Sequence, residues 1–396
     1  MSFVPTAVID ADAHVIESDL TWDYLEPAEQ KFRPKIIQDP QNPNLKRWEV
    51  NGSIGPYVLA TVEAPDGIGT TAGKSDRNVG TPAEARQLRD ISARLAHMDQ
   101  LGIDIQVLHT TMWLYAMTKE PDTEAALTFA WNKWLAATWK ESNGRLPWSC
   151  LLPTLLPDEA IHQMRWPKEH GAVAIFARPC EESRIVTDET FYPVYEEAQN
   201  LDMSMAVHIA NGNQSNVEFL HTAAGNSRAL PFSLFRVPTV TTCMLLMMSE
   251  IKNTFPTLRW GFIECSAQWV PWIYNEVARR IELTGKKASK NLFENANIYI
   301  TCQTDDDLPW VLKYAGENCL LIGTDYGHGD PSSDVDATVG IRNYEGISDH
   351  VKDNILYHNP KKLFALSILH FFINCLICVL LIEILLIFDC FTTCNL

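Results

Sequence analysis

Short apolar runs alternate with amphipathic stretches along most of the chain. From Ala85 to Asp99 the apolar positions fall at helical spacing, and "MDQLGIDIQVLHTT" then reads as helix, turn and strand. The same pattern predicts helices over Phe129–Trp139, over Leu156–His170 and at "FYPVYEEAQNLDM". It predicts strands at "RLPWSCLLP", "AVAIFARP", "SMAVHIANG", "LRWGFIECSA", "NIYITCQ" and "CLLIGTDYGHGD". These strands are continuous apolar runs, the mark of a parallel sheet buried on both faces. The first strand departs from the rule. In "AVIDADAHVIE" (residues 7–17), Asp10, Asp12 and His14 occupy every second position. Period two sets them on one face, and ionisable groups on a buried face are costly unless something pairs with them.

The repeated alternation predicts an α/β fold, a (β/α)8 barrel over residues 1–366. Polar residues stand where the apolar runs stop: His14, His109, Arg178, His208, Glu264, Thr301 and Asp325. In a barrel of parallel strands, the active site is assembled from those C-terminal ends. A doubly wound open sheet is the alternative, but no Gly-rich fingerprint follows the first strand. Residues 22–82, rich in Pro, Gly and Asn, are too long for a simple connection and read as an inserted flap over the barrel mouth.

Residues 367–396 break the pattern. "ILHFFINCLICVLLIEILLIF", residues 368–388, is apolar enough and long enough to span a bilayer, with Glu383 as its one full charge. A charge in mid-bilayer is expensive, so the tail reads as foreign to the fold, with a membrane anchor as the alternative.

Composition narrows the function. The chain has 396 residues, 46% of them hydrophobic and 20% charged, which suits a globular protein of enzyme size. A formal net charge of -17 argues against nucleic acid as a partner. Of the ten cysteines, the six scattered through the body form no CxxC pair and read as reduced thiols of a cytoplasmic protein. The opening "MSFVPTAVIDADAH" lacks the basic start and apolar run of a signal peptide.

Four strand-end groups, Asp12, His14, His208 and Asp325, make a mixed N/O shell for one divalent ion such as Zn²⁺, with room for water or substrate. The segments that carry them, "IDADAHVIE", "AVHIANG" and "GTDYGHGD", together with "ILYHNPKKLFAL", resemble the amidohydrolase-related family. Within it they are most similar to the branch of aminocarboxymuconate-semialdehyde and γ-resorcylate decarboxylases. The resemblance implies that Asp12, His14, His208 and Asp325 are metal ligands and that Asp10 supports them. It also implies a small-molecule substrate, an aromatic or unsaturated acid, and the homodimer common in the family.

Two departures bear on the chemistry. Asp12 stands where the superfamily usually has a histidine, a harder set that admits Mn²⁺ or Mg²⁺ as well as Zn²⁺. Glu264 stands where the resembled decarboxylases commonly place a histidine. The fourth strand offers Arg178 and no lysine to bridge two metals, which points to a single ion. The reaction implied is non-oxidative decarboxylation, with Asp325 or Glu264 as proton donor and His208 among the metal-holding catalytic residues. Hydrolysis of an ester, lactone or amide is the alternative, and an inactive barrel tethered to a membrane is a third.

Other residues keep two readings each. Arg178 clamps a substrate carboxylate or closes a salt bridge at the rim. His109 contacts substrate or is a capped core histidine. His328 supports the site or lines its mouth. Trp269, with Trp113 and Trp272, forms an aromatic wall or plain core. His221, Arg228 and Arg236 read as solvated loop residues, and Glu17 as support for the first loop.

Overall fold

The structure, a computed structural model, describes residues 5–58, 81–225, 227–329 and 331–367. The apolar stretch 368–388 and residues 59–80 of the inserted segment lie outside the described residues.

Eight parallel strands lie side by side in chain order. They are β1 (Ile9–His14), β2 (Ile105–His109), β3 (Trp148–Cys150), β4 (Ala172–Ala177), β5 (Ser204–His208), β6 (Trp260–Ile263), β7 (Ile298–Cys302) and β8 (Leu320–Ile322). The circle closes just beyond β8, where His14 N donates to Tyr326 O at 2.8 Å and Asp325 N donates to Asp12 O at 2.9 Å. Closure leaves the barrel without a free edge between its first and last strands. It also brings the acidic groups of β1 beside those that follow β8. The predicted (β/α)8 barrel is therefore the observed fold.

Helices pack outside the strands: α1 (Ile91–Leu101), α2 (Pro121–Glu141), α3 (Pro157–Glu169), α4 (Tyr192–Asn200), α5 (Val237–Met248), α6 (Val270–Glu282) and α7 (Leu308–Ala315). Proline stands in the first turn of α2 through α7, where its missing N–H costs nothing. The helix expected from Ala85 to Asp99 is broken. A single turn at Ala83–Arg86 is followed by Leu88 at φ 53, and α1 begins afresh where the Asp90 side chain accepts from Ala93 N. Conversely, α2 runs well beyond Phe129–Trp139, because Pro121 starts it eight residues earlier.

The inserted segment folds in part as a three-stranded antiparallel sheet of Lys35–Gln38, Lys46–Val50 and Ser53–Tyr57. Trp22 meets Trp48 edge-on at 6.1 Å and Trp113 at 6.0 Å, just past the end of β2. Asn51 Nδ2 donates to Thr123 Oγ1 at 2.6 Å. The sheet is thus anchored near the end of the barrel where the polar strand termini gather. The six described cysteines are free thiols. Among the described residues no helix is long and apolar enough to cross a membrane.

The chain returns to the barrel before the tail begins. Asn359 Nδ2 donates to Leu320 O at 2.8 Å and Arg259 Nε donates to Leu363 O at 2.8 Å. A chain ended after Ser367 should therefore fold with an unchanged Tm in calorimetry. A fall of about 5 °C or more, worth roughly 1–2 kcal/mol, would show that the tail stabilises the barrel.

Candidate metal centre

His14 and His208 end β1 and β5, on opposite sides of the barrel. His14 Nδ1 lies 3.0 Å from Thr110 O and His208 Nδ1 lies 3.1 Å from Ile209 O. A carbonyl oxygen only accepts, so each Nδ1 carries a hydrogen and each neutral ring keeps its lone pair on Nε2. Those two Nε2 atoms face each other at 3.0 Å, and both rings are fully buried. Burial, and then the nearby imidazoles of His328, His208 and His109, hold His14 well below the ordinary histidine range. Two lone pairs at this distance repel; a cation bound by both makes the contact favourable.

Carboxylates surround the pair. Asp12 Oδ1 is 3.6 Å from His14 Nε2 and 3.5 Å from His208 Nε2. Glu264 Oε2 is 3.8 Å and 3.5 Å from the same two atoms, and Asp325 Oδ1 is 3.6 Å from His14 Nε2. Ligands bound at about 2.1 Å to one ion stand roughly 3.0–3.4 Å apart in octahedral or tetrahedral arrangement. The observed spacings are close to that. The possible ligand atoms form two overlapping groups that share His14: Asp12, His14 and His208, and His14, Glu264, Asp325 and His328; such a mixture of imidazoles and carboxylates suits a first-row divalent ion. Asp12, His14, His208 and Asp325, proposed from the sequence as ligands, converge here, and Glu264 joins them.

The surrounding chain explains how these groups are held. Gly323 lets Asp12 approach, because a Cβ there would stand 2.3 Å from Asp12 Cβ. Asp10 sits beneath as a support: it accepts from Thr324 N at 2.9 Å, Thr324 Oγ1 at 2.6 Å, Gln106 Nε2 at 2.9 Å and Asp12 N at 3.2 Å. Burial nevertheless pushes Asp10 up to about 6 against those bonds. Gln106 in turn accepts from Arg94 Nε at 2.7 Å, and the buried Arg94 guanidinium lies 3.6 Å from the Tyr326 ring. Glu264 and Asp325 have φ values of 63 and 50. Left-handed backbone in such residues costs about 1–3 kcal/mol each and collects at functional sites. Glu264 is pinned there by its N–H donating to Thr301 Oγ1 at 2.7 Å.

His328 belongs to the site. Its ring stacks on His14 at 3.9 Å, and Nδ1 lies 2.8 Å from Asp325 Oδ1. The other oxygen of Asp325 accepts from Ser333 Oγ at 2.5 Å. The other candidates are engaged with partners of their own. His109 has both nitrogens engaged, with Ser149 Oγ at 2.9 Å and Ala11 O at 3.1 Å, and burial lowers its pKa to about 4, which is the core-histidine alternative.

Arg178 is committed to Glu181, at 2.5 Å and 3.0 Å, and to the carbonyls of Trp113 and Tyr115. The structure therefore holds the salt-bridge alternative for it rather than a free clamp. Trp269 packs edge-on against Phe262 and Phe293 with its N–H on Cys265 O, and Trp113 is buried, while Trp272 is exposed. No common aromatic wall joins them. His221 and Arg228 are exposed, as expected, but His221 lies in the helix Gln214–Ala224 rather than in a loop. Glu17 accepts from Thr110 Oγ1, Thr111 N, Met112 N and Trp131 Nε1 and so ties the first loop to the second. Sequence reasoning missed Arg94, Gln106, Thr111, Gly323, Thr324 and Ser333. Thr324 and Gly323 flank Asp325 in "GTDYGHGD", and that adjacency was the one available signal.

Gly323→Ala tests the cradle. The new methyl group would displace Asp12, destabilising the fold by about 1–3 kcal/mol. It should also weaken metal binding in a Mn²⁺ titration; unchanged affinity would show that Asp12 needs no such approach.

Known proteins place this architecture. The family model described as "Amidohydrolase" matches residues 9–366. An amidohydrolase from Mycobacterium avium subsp. paratuberculosis K-10 superposes with a TM-score of 0.72 at 17% identity, covering 91% of this chain and 100% of the other. A 5-carboxyvanillate decarboxylase from Novosphingobium aromaticivorans, with bound manganese and 3-methoxy-4-hydroxy-5-nitrobenzoic acid, gives 0.63 at 17% identity over 91% and 97%. IDCase from Metarhizium anisopliae gives 0.62 at 13% identity over 91% and 97%. At such identities the solved structures speak for the fold, whereas the family model spans nearly the whole barrel. By that match, this chain belongs to the amidohydrolase family.

Proposed function

We propose that this protein is a metal-dependent carboxy-lyase that removes CO₂ from an aromatic or unsaturated carboxylic acid. The observation that carries the reading is the convergence of the His14 and His208 Nε2 atoms, 3.0 Å apart, with the carboxylates of Asp12, Glu264 and Asp325 within 4 Å of one or both. The decarboxylases among the structural neighbours, one holding manganese and a substituted benzoic acid, support it. Held by Asp12, His14, His208 and Asp325 beside Glu264, a divalent ion would supply positive charge to a substrate carboxylate and its neighbouring oxygen. The oxygen-rich set favours Mn²⁺ or Zn²⁺. The free thiols suit a cytoplasmic enzyme.

The chain's own residues manage the proton. Thr111 Oγ1 gives its hydrogen to Val15 O at 2.8 Å, so it accepts from His328 Nε2 at 2.9 Å. Nε2 is thereby fixed as N–H, and His328 Nδ1 meets Asp325 Oδ1 through one further shared proton. We assign that proton to the substrate carbon that bears the carboxylate. As it arrives, the bond to the carboxylate breaks, its electron pair returns to the substrate, and CO₂ leaves. Water then restores the proton.

A second reading has its own support. Glu264, held at φ 63 near both imidazoles, is placed to take a proton from water, which suits hydrolysis of an ester, lactone or amide.

Three measurements decide. Elemental analysis should find about one divalent ion per chain, and chelation should abolish activity. A panel of hydroxybenzoates should release CO₂, whereas turnover of aryl esters or lactones alone would overturn the lyase. His328→Gln should lower kcat by about 10²–10⁴ with metal content unchanged. Asp325→Asn should lower metal affinity by more than about tenfold without lowering the Tm of the metal-free protein; unaltered kcat in both variants would remove the proton assignment.

A further inference from the structure

The long connection between β5 and α5 carries a π-helical turn at Phe232–Arg236. Such turns are rare and concentrate at functional sites. This one is fixed from three sides. Asn211 Nδ2, just beyond β5, donates to Leu234 O at 3.0 Å. Phe235 packs edge-on against Tyr115, beyond β2, at 5.3 Å. Arg236 Nη2 donates to Ser332 Oγ, beyond β8, at 2.7 Å.

In the strand order, β6 and β7 separate β5 from β8, so the Arg236–Ser332 bond joins the connection after β5 to the one after β8, the two strands that lead to His208 and Asp325. The residue after Ser332 belongs to the site: Ser333 Oγ donates to Asp325 Oδ2.

Charge balance gives the arginine its role. Three carboxylates against one divalent ion leave a negative centre, and an anionic substrate deepens it. Arg178 is neutralised by Glu181, and Arg94 is buried under the Tyr326 ring. Arg236 is half-buried, bonded to a neutral hydroxyl, and among the described residues no carboxylate pairs with it. A guanidinium's planar fork matches two oxygens of a carboxylate.

We propose that Arg236 is a specificity residue that receives a second acidic group of the substrate, so that the preferred substrates are dianionic acids. The proposal rests on the carboxy-lyase reading and deepens it. The solvated-loop role expected for Arg236 from the sequence gives way, because its side chain is half-buried and donates to Ser332.

Calorimetric titration of the manganese-loaded full chain with benzene-1,3-dicarboxylate and with benzoate tests it. The dicarboxylate should bind about tenfold tighter or more, a difference of about 1.4 kcal/mol or more. Arg236→Gln should erase that preference and leave benzoate unchanged. Arg236→Lys, which keeps the charge but loses the fork, should keep only part of it and decides the matter if Arg236→Gln does not fold. Absence of the preference in the wild type, its full retention in both variants, or equal loss of both ligands would overturn the proposal. Benzoate binding that ignores manganese would instead count against the metal reading and leave the comparison at Arg236 intact.

Discussion

Two imidazole lone pairs point at each other across the top of the barrel, and that repulsive contact organises everything near it. His14 and His208 are locked as acceptors at Nε2 because Thr110 O and Ile209 O hold their Nδ1 hydrogens. Neither ring can turn away without giving up a buried hydrogen bond. Asp12, Glu264 and Asp325 bring three buried carboxyl groups to the same region, and a bound cation would offset the cost of their ionised forms. A cation held there would serve both the stability of the cluster and the proposed chemistry.

The barrel's closure and the site are one construction. The bonds that join β1 to the segment after β8 involve Asp12 O, Asp325 N and His14 N, so the residues that finish the cylinder also present the ligands. Gly323 and the Asp10–Gln106–Arg94 chain act from below, fixing Asp12 and the backbone of His14. Left-handed backbone at Glu264 and Asp325 turns two carboxylates inward at the ends of β6 and β8, a local cost offset by the packing around them.

Much of this was legible in the sequence. Apolar runs marked the strands, and polar residues at their ends named His14, His208, Glu264 and Asp325. Period two along β1 separated Asp10 and Asp12 from their apolar neighbours. What stayed hidden depends on contacts between distant segments. Arg178 kept two readings, clamp and salt bridge, because its partner Glu181 arrives through a tight turn that no periodicity reveals. Arg94 and Gln106 sit in ordinary helix and strand patterns, and only folding shows that they hold Asp10. Arg236 read as a loop residue because a π-helical turn has no spacing signal of its own. The break at Leu88 was missed for a similar reason: a left-handed residue without glycine leaves no mark in composition.

The most direct test is anomalous diffraction from crystals of the full chain grown with Mn²⁺. The account predicts one strong peak between β1 and β5, about 2.0–2.3 Å from the Nε2 atoms of both His14 and His208 and within bonding distance of Asp12 and Asp325. A map with no peak there, or with the two rings turned so that their Nε2 atoms no longer share a centre, would contradict it.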